Sequence, residues 1–140
     1  MKQYVLSVRP GWARLILNGD KLADVRLTRP KEPVHEDTVV WLYETKRDGG
    51  RGRIVGRCCV PEIRSMNVYR DAFQRKAYAR LCCLSEEQLE AYQTGHRFLY
   101  FWLIEEAREL REKDAPTLAE LGVKCPPVSW CSVKGVEANG

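Results

Sequence analysis

Lys21, Asp24 and Arg26 stand within six residues of one another, just past Gly19. Side chains alternate on an extended segment, so Asp24 and Arg26 share one face, with Lys21 at the bend before them. A lysine, a carboxylate and an arginine at the mouth of a small domain can hold an anionic or planar polar ligand. The Lys21 ammonium can contact a phosphate, or act as a base where burial or neighbouring cations lower its pKa. The Arg26 fork can grip a phosphate or a base edge, or it can pair with Asp24 and orient it. Asp24 can position Lys21 or accept a hydrogen bond from a ligand amine. Because Lys21 follows a glycine turn, its side chain is expected to project into a cleft and to take no part in core packing. The same trio also reads as a solvated salt-bridge set, worth little energetically.

A second group surrounds this one. Tyr43, at the end of a β-branched and aromatic run, can stack on a nucleobase, or it can be a half-buried strand tyrosine. Trp12 can wall a pocket or belong to the core. Lys46, Arg47, Arg51 and Arg53 alternate with glycines in KRDGGRGR, a loop that can mould to a phosphate backbone or remain a solvated hairpin tip.

The elements that must position these residues follow from pattern. Residues 2–8 alternate weakly and suit a strand. Pro10 fits the first turn of a helix. Trp12, Leu15 and Ile16 then form one apolar stripe, and Gly19 ends it. A second strand is expected over 23–29, broken by Pro30 and Pro33. Strands follow at 38–43 and 54–63, the latter irregular at Pro61. A helix over 69–80 would place Tyr69, Ala72, Phe73 and Ala77 on one side. Ser85 with Gln88 forms a capping box, flanked by Leu84 and Leu89 as a hydrophobic staple, and that helix ends near Gly95. The run FLYFWLI at 98–104 is apolar throughout and reads as a buried strand. Residues 105–113 either extend it or leave it as a loop. A helical turn at 118–121 and a strand at 129–133 complete a β-α-β-β-β-α-α-β-α-β order. With no βαβ repeat, this predicts an α+β fold: a small mixed or mostly antiparallel sheet curled into a partial barrel with helices at its rim.

The 140 residues suit one domain, expected over 1–134 with a frayed tail at 135–140. Net charge is +4, unevenly spread: residues 1–84 carry 17 Lys+Arg against 9 Asp+Glu, and residues 85–140 carry 6 against 10. A basic first part suits a polyanion such as nucleic acid. No apolar run approaches the roughly 20 residues of a membrane span, and the first residues lack the pattern of a signal peptide, so a cytoplasmic location is expected. In that setting the six cysteines (Cys58, Cys59, Cys82, Cys83, Cys125 and Cys131) are core residues rather than a disulfide framework. Neither they nor His35 and His96 have zinc-ligand spacing, so no metal and no cofactor is expected.

Gly19-Asp20-Lys21-Leu22-Ala23-Asp24-Val25-Arg26 resembles the G-x-K-x-x-E-x-R signature of the ASCH (activating signal cointegrator homology) family, with Asp in place of Glu. Ser7-Val8-Arg9-Pro10 and Leu15-Ile16-Leu17-Asn18-Gly19 are similar to the lead-in of that motif. Val40-Trp41-Leu42-Tyr43-Glu44-Thr45 and Arg53-Ile54-Val55-Gly56 resemble the family's next strands. Pro126-Pro127-Val128-Ser129-Trp130-Cys131 resembles its closing segment. The resemblance implies a PUA-like barrel that binds RNA or a nucleotide-like ligand in a cleft formed by Lys21, Asp24, Arg26, Tyr43 and Ser129. The sequence does not give the oligomeric state, and a monomer is the default expectation. The resemblance also implies a runner-up, a small enzyme using the same cleft. Some family members are amidohydrolases that deacylate a modified cytidine with Lys, Thr and a distant Glu; here Lys21 matches and Asp24 stands where the hydroxyl would be. A nuclease activity is associated with members carrying Lys, Tyr and Ser, the types of Lys21, Tyr43 and Ser129. The shorter Asp24 arm sets the carboxylate back by about 1.3 Å, near one C–C bond.

Overall fold

A computed structural model describes residues 2–134; the tail expected at 135–140 lies outside the described residues. The strands are β1 (Tyr4–Val8), β2 (Ala23–Arg26), β3 (Val39–Glu44), β4 (Arg53–Asn67), β5 (Phe98–Glu109) and β6 (Trp130–Ser132). The helices are α1 (Pro10–Leu17), α2 (Arg75–Leu81) and α3 (Glu86–Gln93). All six strands join one sheet in the order β2-β5-β4-β3-β1-β6. Only the β1–β3 pair is parallel.

The sheet curls into a half-barrel, and its long strands supply the curvature. β4 and β5 pair from Gly56↔Glu109 to Asn67↔Phe98, with register shifts between Arg57/Cys59 and between Cys59/Glu62. The second shift spans Pro61, which has no N–H to give the ladder, and bulges of this kind bend and twist a strand. The charged residues 105–109 do extend the apolar run at 98–104 as strand. Curling brings the two sheet edges together. Tyr4, Trp102 and Trp130, from β1, β5 and β6, meet with ring centroids 5.7–6.2 Å apart. The Trp130 indole N–H donates to Thr28 Oγ1, just past β2, at 2.8 Å.

Three apolar clusters hold this arrangement. Leu6, Ile16, Leu42, Val55 and Trp102 are buried where α1 packs inside the curl. There Gly56 lets the helix approach: a Cβ on it would lie 2.6 Å from Leu17 Cδ2 and 2.7 Å from the Arg108 carbonyl. Met66, Leu89, Leu99 and Phe101 form a second cluster under α2 and α3, with Tyr78 stacked on Phe101 at 4.2 Å. Val5, Tyr43, Ile54, Leu121 and Val123 form the third, under the C-terminal segment. No helix among the described residues is long and apolar enough to cross a membrane.

Three expected elements differ. β4, expected over 54–63, runs on to Asn67, four residues past its expected end. β2 stops at Arg26, three residues before its expected end. The helix expected over 69–80 begins only at Arg75, after a turn and a 3₁₀ segment at Ala72–Gln74. Asn67 Oδ1 accepts from the N–H groups of Tyr69 and Arg70, and Asp71 Oδ2 accepts from Asn67 N–H. These side chains offer the backbone a turn in place of a helix. Tyr69 and Phe73, expected on an apolar face, are 76% and 81% exposed. The Ser85–Gln88 capping box forms as expected, with bonds of 2.8 and 3.1 Å.

The β3–β4 loop is pinned by Glu44, a buried carboxylate that accepts Arg51 N–H at 2.7 Å, Nε at 2.9 Å and Nη2 at 3.1 Å. The Arg51 hydrogen bond holds the Glu44 carboxyl below its ordinary value of 4.5, against the upward push of burial. A carboxylate depressed in the folded state contributes stability that is fully present above the unfolded pKa and is lost as pH falls through the folded one. Arg51→Met should therefore lower stability at neutral pH and make the further loss on acidification below about 4.5 shallower than in the parent. Urea unfolding midpoints across that range test this; parallel pH profiles for parent and variant would remove Glu44–Arg51 as the acid-sensitive contact.

Candidate functional site

The motif is built by a helix end. Pro10 occupies the first turn of α1, where its missing N–H costs nothing. Gly19, at φ +88°, takes the left-handed conformation that glycine adopts without strain. The N–H groups of Asp20 and Lys21 then bond back to the Leu15 carbonyl. The chain reverses tightly, and Lys21 enters β2 beneath the helix it has just left.

Lys21 is not clear of packing, contrary to the expectation from its place after the turn. It is 3% exposed. Its Nζ donates to the Cys82 carbonyl at 2.8 Å, lies 3.5 Å from Asp24 Oδ1, and sits 4.8 Å from the centre of the Trp12 ring. A buried ammonium needs such partners, because desolvating it alone is expensive. Asp24 faces the same space and takes Arg26 Nε on Oδ2 at 2.6 Å.

Arg26 thus does what one of its two readings required: it pairs with Asp24. Its remaining nitrogens close the barrel seam. Nη1 donates to the Ser129 carbonyl at 3.1 Å and to Ser129 Oγ at 3.2 Å, and Nη2 donates to the Ser7 carbonyl at 2.7 Å. Ser7 Oγ in turn donates to the Pro127 carbonyl at 2.7 Å. One guanidinium therefore ties β2 to β1 and to the segment entering β6.

These residues open into a cleft of about 590 Å³. Trp12 walls it from α1. Leu84, Gln88 and Tyr92 wall it from the side of α3, and Pro127 and Val128 from the closing segment. Arg9 and Arg47 stand at its rim, exposed, and neither side chain has a hydrogen-bond or ion-pair partner among the described residues. Thr45 also lines it; its Oγ1 is buried with no hydrogen-bond partner. Burial pushes the Tyr92 phenol above its ordinary pKa, with Arg26 pulling the other way. Burial likewise pushes the Cys82 thiol, next to Lys21's acceptor, up to about 12, so it is not a thiolate nucleophile at neutral pH.

The other sequence candidates separate. Ser129 lies at the seam, held by Arg26. Tyr43 does not line the cleft with Lys21: it is 5% exposed and faces a neighbouring cavity, with Lys46 and Arg53. Arg53 donates to the carbonyls of Ile54 and Leu110, and Arg51 is committed to Glu44. Of the four loop cations, Lys46 and Arg47 have no such partner among the described residues. Arg9, Gln88 and Tyr92 were not named as site residues from sequence. The signal for the α3 wall was there in the spacing: 84, 88 and 92 recur every four residues, one face of a helix. No group of three or more His, Cys, Asp or Glu side chains among the described residues could hold a metal ion.

The sequence model of the ASCH domain matches residues 6–112. The chain belongs to the ASCH domain family. Its fold is similar to the crystal structure of ASCH from Zymomonas mobilis, with a TM-score of 0.76 at 23% identity over 99% of this chain and 92% of that one. Crystal structures of a tyrosine-to-phenylalanine and a serine-to-alanine mutant of that protein align with TM-scores of 0.77 at 22% identity, over 99% of this chain and 95% and 92% of theirs. At these identities the likeness is one of fold. No curated protein sequence matches the chain.

Because Lys21 and Arg26 are part of the packing, their substitution should be felt in stability. Lys21→Met, which keeps the apolar stem, should cost about 1–3 kcal/mol, the range for losing a buried hydrogen bond to a charged group. Arg26→Lys should cost at least as much, since an ammonium cannot reproduce the planar fork that reaches Asp24, Ser129 and Ser7. Chemical denaturation of both variants checks this; a Lys21→Met chain as stable as the parent would show that the ammonium is not held as described.

Proposed function

We propose that this ASCH domain binds RNA or a nucleotide-like ligand in the Lys21 cleft. The observation that carries the reading is the pairing of a buried, pre-formed Lys21–Asp24–Arg26 set with two rim arginines that have no partner among the described residues. Inside, one carboxylate balances part of the positive charge, and it presents polar atoms to the edge of a planar ligand. At the mouth, Arg9 and Arg47 supply unspent charge for phosphate. Trp12 and Tyr92 give aromatic walls suited to a base. The volume falls within the range of small-ligand sites.

A second reading, hydrolysis of a modified nucleoside or of RNA in the same cleft, is favoured by one observation. Thr45 lines the cleft with Lys21, and its Oγ1 is buried without a hydrogen bond. It is a hydroxyl of the type that Asp24 displaces from the motif position. Turnover of the bound ligand without added divalent metal distinguishes this reading from binding alone.

The binding reading is tested by anisotropy titration of a labelled single-stranded RNA at low and physiological salt. Affinity should fall with salt by a log–log slope of about −0.7 per phosphate neutralised. Arg47→Ala should weaken binding and make the slope shallower by about one contact, with the thermal unfolding temperature unchanged. Binding that is absent at low salt, or indifferent to salt, removes the proposal.

A further inference from the structure

The Lys21 cleft does not stand alone. Beyond Thr45 lies the cavity of about 620 Å³ that Tyr43 faces. The two spaces share Thr45 itself, and consecutive residues divide between them: Lys46 and Pro126 line the far cavity, Arg47 and Pro127 the cleft. They are adjoining chambers with one partition.

The far chamber has the chemistry of a second base-and-phosphate site. Its walls are apolar at Ile54, Pro116 and Leu118. Two cations, Lys46 and Arg53, face it against one carboxylate, Glu112. Two hydroxyls are unspent. Thr45 Oγ1 has no partner, and no hydrogen bond engages the Tyr43 hydroxyl among the described residues.

We infer that the far chamber is a second nucleotide subsite, so that the ligand is a strand of at least two linked nucleotides: one base beside Trp12 and Tyr92, the next in the far chamber against Pro116 and Leu118, with the linking phosphate at Thr45 between Lys46 and Arg47. This inference rests on the nucleotide-binding reading of the cleft and narrows it to a strand.

The test is an amide NMR titration of the full chain with each ribonucleoside 5′-monophosphate and each dinucleoside monophosphate. At least one dinucleotide should bind about tenfold or more tighter than either of its component mononucleotides, the gain one stacked base supplies. Only the dinucleotide should move resonances at Tyr43 and Leu118 as well as at Trp12. Ala115→Trp, which fills the far chamber, should reduce dinucleotide affinity to the mononucleotide level and leave mononucleotide binding unchanged. Lys46→Ala, at an exposed residue with no partner among the described residues, should lower dinucleotide affinity alone and carries the test if Ala115→Trp does not fold. Mononucleotides binding as tightly as dinucleotides, or a gain that survives both variants, overturns the second subsite and leaves the cleft reading standing. If neither kind of ligand binds, both readings fall together.

Discussion

The structure turns on how a six-stranded sheet with two open edges is brought round on itself. β2 and β6 are the edge strands, at opposite ends of the sheet order, and no backbone ladder joins them. Arg26 supplies the link. Its three nitrogens reach a carboxylate on its own strand, the Ser7 carbonyl on β1 and both oxygens of Ser129 before β6. The contact between Trp102 and Trp130 and the indole bond to Thr28 stitch the same edges from inside and beside. A planar fork with donors on three nitrogens suits such a seam, where the single nitrogen of an ammonium could not span the same acceptors.

Making the seam and making the site are one operation. Asp24 receives Arg26 on one oxygen, and the same carboxyl group faces Lys21 with its other oxygen. Lys21 is thereby held under Trp12 and against the Cys82 carbonyl with little freedom left. That ordering is met by folding rather than by the ligand, which is what preorganisation means energetically. The cost is a small polar cluster inside an apolar domain, tolerable because each member is paired. The unspent charge lies outward, at the exposed Arg9, Lys46 and Arg47.

The glycine-rich loop shows why a run of like residues need not act alike. Lys46, Arg47, Arg51 and Arg53 are close in sequence, but the buried carboxylate of Glu44 captures Arg51, and two main-chain carbonyls capture Arg53. The loop becomes a fixed partition between two chambers instead of a loose basic tip. Its two remaining cations then point to neighbouring spaces, Lys46 to one and Arg47 to the other.

Local features carried far in this chain because local energetics decide them. Pro10, Gly19 and the Ser85–Gln88 box placed α1 and α3; the alternation of β2 put Asp24 and Arg26 on one face; the apolar run at 98–104 marked the first part of β5. The G-x-K-x-x-D-x-R motif marked three residues of the candidate cleft and, with the segments that follow in order, indicated the family. Tertiary structure decided the rest. Whether Lys21 is exposed depends on Trp12, Cys82 and Asp24, which are apart in sequence and meet only when α1, α2 and β2 pack. Whether Arg26 serves a ligand or the fold depends on Ser7 and Ser129, near opposite ends of the chain. Tyr43 and Lys21 were expected in one cleft, and the curl of the sheet put a wall between them. The side-chain turn at Asn67 and Asp71 displaced a helix start that apolar spacing alone placed too early. Spacing reports which faces are apolar; only packing reports what each polar group finds to bond to, and in this domain that decides which charges are spent on the fold and which are left unpaired at the surface.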